Sequence, residues 1–142
     1  MNIKLNEACQ EQHQNVLAKG FEHQAIATNL MLIVSELGEA LEAHRKNKSA
    51  NLTMFELEMP IVYRDKDYNI CGLEPDMPMT QVNALFKVSF ERHIKDTFED
   101  EIADAFLRLM DLCGEYDIDI EKHIELKAEY NKLRPYKHGK LY

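Results

Sequence analysis

Long apolar runs are missing from this chain of 142 residues. The longest, residues 30–34 (LMLIV), falls far short of the ~20 residues that a membrane-spanning helix needs, so it reads as a helix core and no membrane partner is expected. The start, Met1-Asn2-Ile3-Lys4-Leu5, passes at once to Asn6, Glu7 and a Gln-rich stretch. That leaves no room for a signal-peptide hydrophobic region, and a cytoplasmic location is expected. Cysteine is scarce: Cys9, Cys71 and Cys113 are odd in number, far apart and without CxxC spacing, which excludes a disulfide framework and a zinc site and leaves buried or incidental thiols. Basic charge is also short, with 17 Lys and Arg against 25 Asp and Glu and a net charge of −8. Binding driven by phosphate neutralisation needs a basic face, so a general nucleic-acid binder is excluded. An anionic substrate would need metal ions as intermediaries. The local exception is the tail, where Lys127, Lys132, Arg134, Lys137, His138 and Lys140 could meet phosphate.

What is present is 45% hydrophobic and 30% charged residues, the composition of a soluble globular protein, at a length that suits one domain over residues 1–142. A first helix is expected over residues 6–19, polar and Gln-rich, with Gly20 placed to end it in a left-handed cap. A second, over residues 23–46, follows from Ile26, Leu30, Val34, Leu37 and Leu41 repeating at three and four. From 47 to 79 the periodicity fails and Pro60, Gly72, Pro75 and Pro78 punctuate the chain. There Phe55-Glu56-Leu57-Glu58-Met59 alternates, and a short β-hairpin or a long ordered loop fits residues 61–72. Helix resumes with Thr80 as N-cap and Val82, Leu85 and Val88 on its apolar side. Asp96 with Glu99 has the form of a capping box for the next helix, whose stripe is Phe98, Ile102, Ala105, Leu109 and Leu112 as far as Gly114. Asp119 would cap a last helix over residues 120–133, stopped by Pro135, whose stripe passes from Ile120 and Ile124 to Lys127, Asn131 and Arg134.

Two of these helices carry acids in pairs. Glu36 with Glu39, and Glu101 with Asp104, are each three residues apart, so each pair shares a helix face at about 60° around the axis. Both pairs flank their apolar stripe and so fall at the rim of the core. A carboxylate there is costly unless something positive sits beside it. Facing acids on bundle helices build metal sites, and oxygen donors without histidine favour the hard ions Mg²⁺ or Mn²⁺. A di-iron site would want Glu-x-x-His, and neither His44 nor His123 stands at that offset. The plainer reading of either motif alone is a solvated surface pair.

Ser35-Glu36-Leu37-Gly38-Glu39-Ala40-Leu41-Glu42-Ala43, then Glu101-Ile102-Ala103-Asp104 running on to Asp117-Ile118-Asp119-Ile120, then Lys127-Ala128-Glu129-Tyr130-Asn131 with Arg134-Pro135, resemble the MazG-like all-α nucleoside triphosphate pyrophosphohydrolase superfamily. Asn15-Val16-Leu17-Ala18-Lys19-Gly20-Phe21 is similar to that family's first helix and turn, and the likeness covers residues 10–46 and 97–140. It implies an all-α bundle of four main helices, a homodimer or homotetramer, that cleaves a nucleoside triphosphate to monophosphate and pyrophosphate with Mg²⁺. By position it makes Glu36, Glu39, Glu101 and Asp104 the metal-binding and catalytic acids and sets Lys127 and Asn131 on the phosphates or the nucleotide. Lys127 and Arg134 would offset charge on the departing pyrophosphate.

The substrate expected is a canonical or modified (d)NTP, in nucleotide-pool housecleaning; a dUTP- or dCTP-specific enzyme or a phosphoribosyl-ATP pyrophosphohydrolase stays open within the fold. From another class, a non-catalytic helical module for nucleotide or metal binding or for oligomerisation also fits. His13 and Phe21 are candidates for the base, beside plainer readings as a surface histidine and a staple after Gly20. The departure from the family is the long connector, with its insertion over about 47–79. It could close over the base, build an oligomer contact or decorate the scaffold.

Overall fold

The computed structural model describes residues 4–59, 63–64, 70–71 and 77–135; of the basic tail, Lys137, His138 and Lys140 lie outside them. The described chain is helical: α1 (Leu5–Ala18), α2 (Ile26–Arg45), α3 (Leu52–Glu58), α4 (Met79–His93), α5 (Phe98–Glu115) and α6 (Ile120–Lys132). A ladder of two residues a side, β1 (Tyr63–Arg64) antiparallel to β2 (Ile70–Cys71), pairs Tyr63 with Cys71 and Arg64 with Ile70. Among the described residues no helix is long and apolar enough to cross a membrane. The helices group into two units, residues 1–33 with 106–142, and residues 34–105.

In the first unit α1 ends as expected. Gly20 takes φ +82°, Phe21 N–H donates to Val16 C=O and Gly20 N–H to Leu17 C=O, the pair of bonds that closes a Schellman turn. Asp119 caps α6, its carboxylate accepting from Lys122 N–H at 3.2 Å and from the Asn6 amide at 2.8 Å, which ties α6 to the start of α1. The Asn6 hydrogen bond, with that of Lys122 after it, holds the Asp119 carboxyl below its ordinary value. Gly114 is not merely where a stripe runs out. It is buried under α1, and a Cβ there would fall against Cys9 O, 2.8 Å from His13 Cβ and 2.9 Å from the Cys9 carbonyl carbon. Cys9 is buried beside Cys113; burial pushes both thiols up, so they behave as small apolar groups. The expected inward stripe of α6 is corrected: no residue of that helix is buried, and Ile124 is as open as its polar continuation, Lys127 and Asn131.

In the second unit the described part of the connector holds a helix that its punctuation did not imply. The alternation at 55–59 is not a strand: Asn51 Oδ1 accepts from Met54 N–H at 3.1 Å and starts α3, which packs on α4. Alternation over five residues also fits a helix of two turns, and only Met59 of Phe55, Leu57 and Met59 is buried. α4 is unbroken and begins one residue before Thr80, with Pro78 C=O taking Gln81 N–H at 2.8 Å. The capping box of α5 is shifted by one. Asp96 sits at φ +58°, outside the helix, and Thr97 Oγ1 accepts Asp100 N–H at 3.4 Å while Asp100 reaches back to Asp96 N–H at 2.9 Å.

A polar clasp joins α3 to α4. Glu58 accepts from Ser89 Oγ at 3.1 Å and Arg92 Nη1 at 2.8 Å, and His93 Nε2 lies 3.0 Å away. His93 foremost, then Arg92 and Ser89, outweigh desolvation and hold the Glu58 carboxyl down to about 2. A depressed carboxylate gives stability that is whole above its unfolded value of 4.5 and is lost as pH falls from there toward about 2. Urea unfolding followed across that window should therefore show a shallower acid limb in Glu58→Gln than in the parent; identical limbs would contradict the clasp.

Candidate metal centre

The helix faces that carry the acids are set by small residues. On α2 the buried positions of residues 34–45 are Glu36, Ala40 and Ala43, and on α5 they include Glu101 and Ala105. Alanine lets a helix face approach its neighbour closely and brings whatever shares that face into the interior. The apolar stripe read from the sequence points elsewhere: Leu30, Val34, Leu37 and Leu41 are 46%, 55%, 49% and 56% exposed. The expected placement of the acids at the rim of that stripe is thus corrected. Glu36 and Glu101 keep only 8% and 6% of their surface, and it is the stripe that lies open.

Glu36, Glu39 and Glu101 come together, each offering a carboxylate oxygen, with these oxygens all within 4.8 Å of one another. Two are buried and Glu39 is open to solvent. Ser35 Oγ donates to Glu39 at 3.5 Å. Asp104 stands one turn beyond Glu101 on α5, on an exposed position. Burial pushes the Glu101 carboxyl up from its ordinary range, and Glu39, Asp100, Asp104 and Glu36 push it further by repulsion. A cluster that resists its own ionisation is what a cation relieves. An all-oxygen donor set of this size fits a hard divalent ion, whose ligands stand ~2.0–2.6 Å from the centre. These three acids could hold a metal ion.

The other residues singled out in the sequence, His44 apart, belong to the first unit. His13 is not a free surface residue: Nδ1 lies 2.9 Å from Asp111 Oδ1, with both side chains largely covered. Phe21 is exposed and packs as no staple. Lys127 and Asn131 are exposed on α6, where the Lys127 ammonium lies 5.2 Å from the Tyr130 ring centre, and Arg134 follows the helix half-buried. His44, discounted as a ligand, meets the Phe98 ring edge-on at 5.6 Å.

Sequence reasoning missed what lies beside the acids on α4. Phe86, Phe90 and Lys95 share a groove with Asp100 and Asp104 of α5. The only signal was two phenylalanines one turn apart, which reads equally as helix core. Glu58 was also missed, because nothing local links it to Ser89, Arg92 and His93. Comparison of the chain with protein-family models, with curated proteins and with solved structures finds no match in any of the three.

Proposed function

We propose that the chain is a Mg²⁺-dependent nucleoside triphosphate pyrophosphohydrolase, with Mn²⁺ able to replace Mg²⁺. The observation that carries this is the convergence of Glu36, Glu39 and Glu101, two of them buried, on one small volume. The motif likeness to the MazG-like superfamily supplies the reaction. Glu36, Glu39 and Glu101, joined through the motif likeness by Asp104, would hold the cation. When bound, it offsets the charge of the triphosphate and lowers the pKa of an attacking water. A carboxylate of the set takes the proton as water oxygen bonds to the α-phosphorus and the bond to the bridging oxygen breaks, releasing monophosphate and pyrophosphate. Lys127, Asn131 and Arg134 are assigned to the phosphates, with Lys127 and Arg134 meeting charge on the leaving pyrophosphate. The substrate is a canonical or modified (d)NTP, in housecleaning of the nucleotide pool. The test is incubation of the purified chain with a panel of such nucleotides and Mg²⁺; no monophosphate or pyrophosphate from any of them would sink the reading.

We assign a homodimer or homotetramer on a second observation. Leu30, Val34, Leu37 and Leu41 form one open apolar face of α2, wider than scattered surface leucines and suited to burial against another copy. Leu37→Lys should shift sedimentation toward the monomer, and an unchanged sedimentation coefficient would remove this face from the assembly. The same face favours, as the rival reading, an oligomerisation module without turnover, which the nucleotide panel separates from the enzyme.

A further inference from the structure

We propose that the groove between α4 and α5 receives the base of the nucleotide, and that Phe86 and Phe90 are the residues it stacks on; this rests on the acids being the catalytic centre. The groove is open to solvent, offers about 380 Å³ and lies wholly within residues 34–105. That volume falls in the range of small-molecule sites, roughly 300–1,000 Å³. Its apolar wall is built: the Phe86 and Phe90 rings are stacked at 5.9 Å with 17° between planes, and Phe55 meets Phe86 edge-on at 5.5 Å. A flat ring finds a preformed aromatic surface there, and stacking of this kind accepts any base.

The rest of the lining is polar. Asp100 and Asp104 line the groove from α5, Lys87 and Glu91, 4.0 Å apart, from α4, and Lys95 is held by Asp96 at 2.8 Å and 3.0 Å. Carboxylates accept several hydrogen bonds each, so a base that offers an exocyclic amine is favoured. Asp104 belongs both to the groove and to the acidic set, one helical turn from Glu101. A nucleotide whose phosphates meet Glu36, Glu39 and Glu101 therefore has its base delivered along α5 toward Phe90. α4 belongs to the connector that the family likeness leaves uncovered, so the selectivity is this chain's own.

The test uses whichever nucleotide the full chain hydrolyses best. Phe90→Leu, which keeps apolar bulk and loses the ring face, should raise KM roughly 10-fold, as loss of a base-stacking contact does, with the inhibition constant of inorganic tripolyphosphate unchanged. Phe90→Tyr should restore the parental KM, and cytidine or adenosine triphosphate should be preferred to the uridine form. Glu91→Trp, at an exposed position on the rim, should raise KM in the same way without disturbing the packed rings. Parental KM in both Phe90→Leu and Glu91→Trp, with turnover intact, overturns the groove and leaves the enzyme reading standing. Tripolyphosphate inhibition weakening in step with KM also overturns it. A parent that hydrolyses no nucleotide overturns both.

Discussion

Glu101→Gln is expected to do two opposite things: abolish turnover and stabilise the metal-free protein. The activity loss should be at least about 100-fold, since even residues that only support metal ligands cost 10–100-fold when changed. The stabilisation follows from burial. Glu101 is 6% exposed, and its carboxyl is pushed up by that burial and by Glu39, Asp100, Asp104 and Glu36. A raised carboxyl binds its proton more tightly in the folded state, so stability falls as pH rises from the unfolded value of 4.5 through the raised folded value and stays lower above it. The amide removes that charge and keeps the shape. In chelator at neutral pH the gain should be of order 1 kcal/mol, roughly 3 °C in Tm for a chain of this size. Added Mg²⁺ should raise the Tm of the parent by linkage and leave Glu101→Gln nearly unmoved. A variant that keeps both activity and the Mg²⁺ response would remove the acids from any metal site.

Gly114→Ala should destabilise the first unit more than any other single methyl group. Helix propensity alone would favour alanine by about 1 kcal/mol. Against it stands the contact with α1, where a Cβ meets backbone rather than the end of a flexible side chain: Cys9 O and, at 2.9 Å, Cys9 C, with His13 Cβ at 2.8 Å. Overpacking of this kind costs about 1–3 kcal/mol, and rigid backbone on the far side sets it at the upper end or beyond, so the steric effect wins. α1 must move outward, which strains the Gln10 hydrogen bond to Gly114 C=O and the His13 to Asp111 pair. We expect a net loss of about 2 kcal/mol in urea unfolding. A more stable alanine variant would show that α1 and α5 are not in contact at Gly114.

The helices themselves were legible because their ends carry local chemistry. Gly20 and Asp119 stop and start α1 and α6 through bonds that span a few residues, and such bonds leave a mark in the sequence. The stripe on α2 gave the helix and its length but not its inward side. Periodicity reports that one face is apolar, not which neighbour covers it, and on α2 the small pair Ala40 and Ala43 turned in while Leu37 and Leu41 turned out. The spacing of Glu36, Glu39 and Glu101 along two helices was readable, and so was the likelihood that they would share a site; their burial was not. What failed entirely was long-range: the Glu58 clasp and the α4 wall beside Asp104 depend on how the connector folds back, which no short window contains.

The connector leaves and re-enters the scaffold at one place. Phe98 N–H donates to Lys48 C=O at 3.0 Å, and three residues further in, Asn51 N–H donates to His93 C=O at 2.9 Å. Glu99 adds a third stitch, accepting from Ala50 N–H at 2.9 Å. The described residues between 51 and 93 thus lie beyond a closed neck. For such a loop the entropy of closure grows only with the logarithm of its length, about 0.6 kcal/mol for each doubling. Residues can therefore be gained or lost beyond the neck with little consequence for α2 and α5 below it. The acids stay with the constant part, while α4, which walls the groove, travels with the interchangeable one, so that reaction and selectivity are free to change separately.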